Sequence, residues 1–156
     1  MKFRFMTVAL LLSLASAPMA IMQSGAAESG NEQHVPRLAD IMSTTQLRHM
    51  KLWFAGASSN WNLAAYELRQ LKESLVEAAS LYPGIPVTNV TTMAEPVQAL
   101  ASAIAAKDTR AFSNTFGLLT NGCNACHQSM GRSFIVMKTP TVSPFSNQAF
   151  PPQRKP

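Results

Sequence analysis

The chain has 156 residues, a formal net charge of +5 and 47% hydrophobic residues. The excess positive charge lies at the ends: Lys2 and Arg4 begin the sequence and four basic residues fall within 132–156, whereas residues 28–131 carry seven basic and eight acidic side chains. The charge therefore does not argue for nucleic-acid binding, and the length suits one domain with a single core.

The N-terminus has the pattern of a signal peptide. Two basic residues precede an apolar stretch from Val8 to Leu14, and small residues follow at 24–27. These are the three parts of a cleaved export signal. The apolar stretch is shorter than the roughly 20 residues that cross a bilayer. We predict a signal peptide over residues 1–27 and a periplasmic mature chain with no transmembrane segment; a retained membrane anchor is the alternative.

Two amphipathic helices are predicted next, over residues 36–55 and 61–82. In both, apolar residues recur at three- and four-residue steps and so share one face. Ser59 or Asn60 can cap the second helix. The charged residues of the second helix, Glu67 among them, are expected on its solvent face.

The second half of the chain predicts two further helices. Residues 87–96 are interpreted as a linker, and the alanine-rich residues 97–106 as a short third helix. Asp108 is expected to cap a fourth helix over residues 109–130. One stripe of this helix consists of Phe112, Phe116, Leu119, Cys123, Cys126, His127 and Met130.

That stripe contains the motif C-x-x-C-H, formed by residues 123–127, and with it both cysteines of the chain. Thiols at Cys123 and Cys126 lie one helical turn apart and can add to the two vinyl groups of a haem, while the imidazole of His127 binds the iron. A redox-active C-x-x-C and a zinc site are the alternatives. The first is typical of folds in which strands alternate with helices, and the second needs four ligands. One covalent haem c is therefore the predicted cofactor.

The C-terminal residues differ in composition from the rest. Residues 138–156 hold five of the ten prolines and are predicted to form an irregular tail. Either Phe145 and Phe150 attach this tail to the helices, or it is disordered. The apolar residues 134–137 are expected to pack back against the helices in extended form.

The predicted fold is all-α: an antiparallel four-helix bundle over residues 28–137, followed by the Pro-rich tail. An exported four-helix chain with one C-x-x-C-H near the end of its last helix resembles the class II c-type cytochromes, the cytochrome c′ group. The resemblance implies haem thioethers at Cys123 and Cys126 and a proximal iron ligand at His127. The chain lacks the basic pair often found after the haem peptide in that group, and it adds the aromatic, Pro-rich tail.

The resemblance also implies that the residue opposite His127 comes from the first helix. The stripe of that helix carries His49 and Met42, two turns apart. His49 is the first choice for a distal ligand because a neutral imidazole binds iron well, and Met42 is the second because methionine in a helical stripe is usually core. An open position, with an apolar residue there, is the third possibility.

We predict a single-electron carrier that exchanges electrons with periplasmic redox proteins. It is not expected to be an enzyme, because the sequence shows no paired catalytic carboxylates, nucleophile triad or phosphate-binding loop. The alternative function is a five-coordinate haem protein that binds NO or CO. A structural bundle with an accidental motif is a third hypothesis. The resemblance allows a homodimer formed through the first helix.

Overall fold

The computed structural model describes residues 35–85 and 87–153, so the predicted signal peptide at 1–27 lies outside the described residues. Within them the chain forms four helices and no strand. The helices are α1 (Leu38–Ala57), α2 (Trp61–Leu81), α3 (Val87–Ala106) and α4 (Thr109–Ser129). Each helix packs against the next, and α1 also packs against α4. The predicted all-α four-helix bundle is confirmed. No helix in the described ranges is long and apolar enough to cross a membrane.

The starts of α2 and α4 are capped by the expected side chains. Asn60 accepts a hydrogen bond from the amide of Leu63 at 3.2 Å. The Asp108 carboxylate accepts from the amides of Arg110 and Ala111, both at 2.9 Å. These bonds satisfy amides that have no partner within the first helical turn.

The third helix is longer than its sequence predicts. It begins at Val87 and passes through Pro96, so the prediction of a linker over 87–96 is wrong. Pro96 lacks an amide hydrogen, and the Val and Thr residues before it have modest helix propensity. Packing overrides both effects, because Met93 and Leu100 are buried in the shared core.

Glu67 is not on the solvent face of α2. It is 2% exposed, and its Oε2 accepts a hydrogen bond from Nη1 of Arg48 on α1 at 3.1 Å. Arg48 and Arg69 also lie over the ring of the exposed Tyr66, at 5.9 Å and 5.5 Å from its centroid. The periodicity of α2 alone cannot show this, because the partner that allows a buried carboxylate lies on another helix.

The core is uneven along the bundle. Its largest fully buried apolar side chains extend from the end with the α1–α2 and α3–α4 turns to the middle of the helices. They are Leu52, Leu71, Leu100, Phe112, Phe116 and Leu119. In the other half, fewer side chains are buried among the described residues, and none of them is aromatic. They are Ile41, Thr45, Ala78 and Met93.

The C-terminal tail returns along the bundle from this second half to the first. Phe150 is 6% exposed and packs on Phe54 at a centroid distance of 5.5 Å, and its carbonyl accepts a hydrogen bond from Nδ2 of Asn60 at 2.9 Å. Phe145 packs on Phe150, and the ammonium of Lys51 lies 5.4 Å from the centroid of its ring. Among the described residues of the tail, Phe145 and Phe150 make these contacts with the bundle.

Candidate functional site

The C-x-x-C-H motif lies on the last two turns of α4. Its stripe continues the buried positions of Phe112, Phe116 and Leu119, as the helical spacing predicts. Cys123, Cys126 and His127 are each partly exposed. The motif therefore lies where the core meets the surface, at the end of the bundle where fewer of the described side chains are buried.

The environment of Cys123 is unlike that of a redox-active thiol. Cys123 packs against the hydrophobic core, and burial, together with the charge of Cys126, raises its pKa to about 11. Redox-active C-x-x-C pairs instead lie at helix N-termini, where the helix dipole and nearby positive charges lower the thiol pKa. Near the C-terminus of α4 the dipole disfavours a thiolate. The thioredoxin-like alternative therefore fits this environment poorly.

His127 is held in one orientation by the chain that follows α4. Its Nδ1 lies 3.0 Å from the carbonyl oxygen of Ile135. Because a carbonyl can only accept, Nδ1 carries the hydrogen, and of the two neutral tautomers this contact selects the one whose lone pair is on Nε2. Histidines that bind metals usually donate their other ring N–H to a carbonyl or carboxylate in this way.

The turn after α4 explains how Ile135 returns to His127. Gly131 has a φ of +67°, which is left-handed and suits glycine. The amide of Arg132 donates to the carbonyl of His127 at 2.7 Å, and that of Gly131 donates to Gln128 at 3.1 Å. These two bonds form a Schellman motif, which ends the helix and reverses the chain.

A second contact anchors the returning segment. Asn124, to which the sequence assigns no role, donates from Nδ2 to the carbonyl of Met137 at 3.0 Å and accepts from the Met137 amide at Oδ1 at 2.7 Å. The apolar side chains between the two anchors do not pack as expected: Phe134 is 77% exposed and Val136 is 62% exposed. Backbone hydrogen bonds, rather than apolar burial, hold this segment.

His49 is a residue of α1 and faces α4 in the interior of the bundle. It is 1% exposed, and its Nε2 lies 2.9 Å from Oγ1 of Thr120, which itself donates to the carbonyl of Phe116 at 2.9 Å. Since the hydroxyl hydrogen is used, Nε2 of His49 is the donor. Its Nδ1 is buried and has no hydrogen-bond partner among the residues that the structure describes. Burial lowers the pKa of His49 to about 4, so the ring is neutral at pH 7.

The register of α1 and α4 determines which first-helix residue faces His127. The two helices run antiparallel, and His49 contacts Thr120. Moving seven residues along each helix, which is close to two full turns, leads from this pair to Met42 and His127 on the same faces. The half-buried Met42, rather than His49, therefore lies at the level of His127.

The described residues bring together no group of three or more His, Cys, Asp or Glu side chains that could hold a metal ion, so the four-ligand zinc alternative finds no ligand set among them.

Comparisons of the chain with protein-family models, with characterised proteins and with solved structures gave no match.

Proposed function

We propose that this chain is a periplasmic c-type cytochrome with one covalently attached haem, which carries single electrons between periplasmic redox proteins and catalyses no reaction on an organic substrate. The observation that carries the proposal is the contact of His127 within C-x-x-C-H: its Nδ1 lies 3.0 Å from the carbonyl oxygen of Ile135, which selects the tautomer that can bind iron through Nε2. When bound, the haem would supply the one-electron couple.

The residues around the motif fit such a group. Cys123 and Cys126 would form the thioethers, and His127 would bind the iron through Nε2. The buried side chains described in this half of the bundle are Ile41, Thr45, Ala78 and Met93, and none of them is aromatic. A macrocycle beside α4 there would displace fewer large side chains than it would beside Phe112.

Met42 is the better candidate for the ligand opposite His127. The helical stripe alone favours His49, but the register places Met42 at the level of His127. His49 lies two turns further along α1 and already donates its Nε2–H to Thr120. With both His127 and Met42 as ligands, a bound haem iron would be six-coordinate, which suits electron transfer.

Attachment is tested by producing the full chain in cells with a periplasmic haem-attachment system. Intact-mass analysis and the absorption spectrum of the denatured protein should show one haem that resists acid extraction. A variant with Cys123→Ala and Cys126→Ala should lack the covalent haem. A colourless wild-type protein with no added mass would contradict the proposal and favour a structural bundle.

Coordination is tested by ferric and ferrous spectra of the wild type, Met42→Leu and His49→Leu. We expect a low-spin wild type whose sulfur-to-iron charge-transfer band disappears in Met42→Leu and persists in His49→Leu. A low-spin wild type that lacks this band, and that becomes high-spin in His49→Leu but not in Met42→Leu, would assign His49 as the ligand. A high-spin ferrous wild type that binds carbon monoxide would identify the gas-binding alternative.

A further inference from the structure

We propose that Asn124, inside the haem peptide, is a positioning residue that fixes the tautomer and orientation of His127 through residues 135–137, which follow α4. The inference rests on the proposed function, since it assigns to Asn124 a role in preparing His127 as an iron ligand. Asn124 does not touch His127 itself in the contacts described above; it acts through the segment that joins Met137 to Ile135.

The side chain of Asn124 makes two hydrogen bonds to the backbone of Met137. Its amide offers both a donor and an acceptor, and it uses both on the backbone of one residue, Met137. This reproduces the paired exchange between two backbones in an antiparallel sheet. A carboxylate at this position could accept but could not donate, and an alanine could do neither.

Ile135 lies between two places at which the chain after α4 is held by hydrogen bonds. The Schellman motif at Gly131 holds one end of the segment, and the Asn124 contact holds the other. Between them the Ile135 amide donates to the Arg132 carbonyl at 2.8 Å. Because the side chains at 134–136 are exposed, loss of the Asn124 contact leaves little else to keep the Ile135 carbonyl at His127.

The Ile135 carbonyl also affects how His127 would bind iron. A carbonyl at Nδ1 selects the tautomer whose Nε2 lone pair can bind iron, and it makes the imidazole a stronger electron donor. A stronger donor favours the ferric state. The Asn124–Met137 contact should therefore lower the midpoint potential of the haem relative to a variant that lacks this contact.

The first test needs no haem and uses the full chain exported by cells without the attachment system. Nitrogen-15 spectra of the imidazole should show a single Nδ1–H tautomer for His127 in the wild type and averaging between tautomers in Asn124→Ala. Trypsin cleavage after Lys138 should become about tenfold faster in that variant, because two backbone-anchoring hydrogen bonds are lost. The matched control is Asn121→Ala, one turn earlier beside the same segment, which should behave as wild type in both measurements.

Asn124→Asp provides a graded variant that retains the size and the acceptor. It should lie between the wild type and Asn124→Ala in both measurements. If Asn124→Ala keeps a single His127 tautomer and wild-type cleavage, the role of Asn124 is refuted whatever the haem result.

The second test uses the haem-loaded protein. Asn124→Ala should have a more positive midpoint potential than the wild type and Asn121→Ala, with the same spin state. An unchanged potential would overturn the link to the iron ligand. If no haem attaches to the wild type, the proposed function fails. The tautomer measurement still tests the role of Asn124, so the two failures are distinguishable.

Discussion

At the scale of single residues, His49 gives the bundle a pH-dependent stability. Its folded pKa of about 4 lies below its ordinary value of 6.5 because burial disfavours the charged ring. The unfolded chain takes up the proton near pH 6.5, whereas the folded chain resists until pH 4. The contribution of His49 is therefore complete above pH 6.5, and about 3 kcal/mol of stability is lost as the pH falls from 6.5 to 4.

Urea denaturation of haem-free protein at several pH values between 7 and 4 measures this loss. His49→Leu should remove the His49 part of the pH dependence while leaving the part due to carboxylates, which both proteins share. Equal losses of unfolding free energy in the wild type and His49→Leu would show that the ring does not remain neutral in the folded state.

The Arg48–Glu67 pair is a second residue-scale feature with a measurable consequence. The side chain of Arg48 is 23% exposed and that of Glu67 is 2% exposed. Arg48→Met leaves the carboxylate buried without its partner, so we expect it to lower the free energy of unfolding by about 3 kcal/mol. Adding Glu67→Leu should recover most of that loss, because no buried charge remains. A double variant no more stable than Arg48→Met would contradict this account.

At the scale of elements, three of the four helices could be predicted to within about two residues. Regular apolar stripes identified α1, α2 and α4, and Asn60 and Asp108 marked the starts of α2 and α4. The stripe of α3 is interrupted by residues that favour other conformations when considered locally, and its helical form depends on packing against α2 and α4. Local sequence reports propensity, whereas the stability of a helix comes mainly from its neighbours.

Two glycines test the packing between helices with opposite expected signs. A Cβ at Gly56 of α1 would overlap the ring of Phe112 of α4, whereas a Cβ at Gly117 would meet nothing within 4 Å. Gly56→Ala should lower the free energy of unfolding by about 2 kcal/mol because the core is overpacked. Gly117→Ala should raise it by about 0.5–1 kcal/mol because alanine favours the helix. The pair is compared by urea denaturation, and a stabilised Gly56→Ala would show that α1 and α4 do not approach as closely as described.

At the scale of the whole molecule, the candidate site divides into residues that the sequence could identify and residues that it could not. Cys123, Cys126 and His127 are identified by spacing alone, since their chemistry belongs to one helix. Asn124 and Ile135 act through a chain reversal that brings distant residues together. No pattern within α4 predicts this reversal. The choice between Met42 and His49 depends on the register between α1 and α4, which a single stripe does not contain.

The chain that follows α4 is attached to the bundle at two separate places, so the two attachments can be tested separately. Phe150 is buried beside Phe54 at one end of the bundle, while Asn124 and His127 hold residues 135–137 at the other. Phe150→Ala should lower the free energy of unfolding by about 3 kcal/mol, because a buried ring is removed. Val142→Ala, at an 80% exposed position between the anchors, should change it little.

The nitrogen-15 signal of His127 should remain that of a single tautomer in Phe150→Ala, because the Asn124 contact does not depend on the aromatic anchor. If the tautomer is lost together with the ring, the tail unfolds as one cooperative unit. The orientation of His127 would then depend on the whole tail rather than on the short segment between Gly131 and Met137.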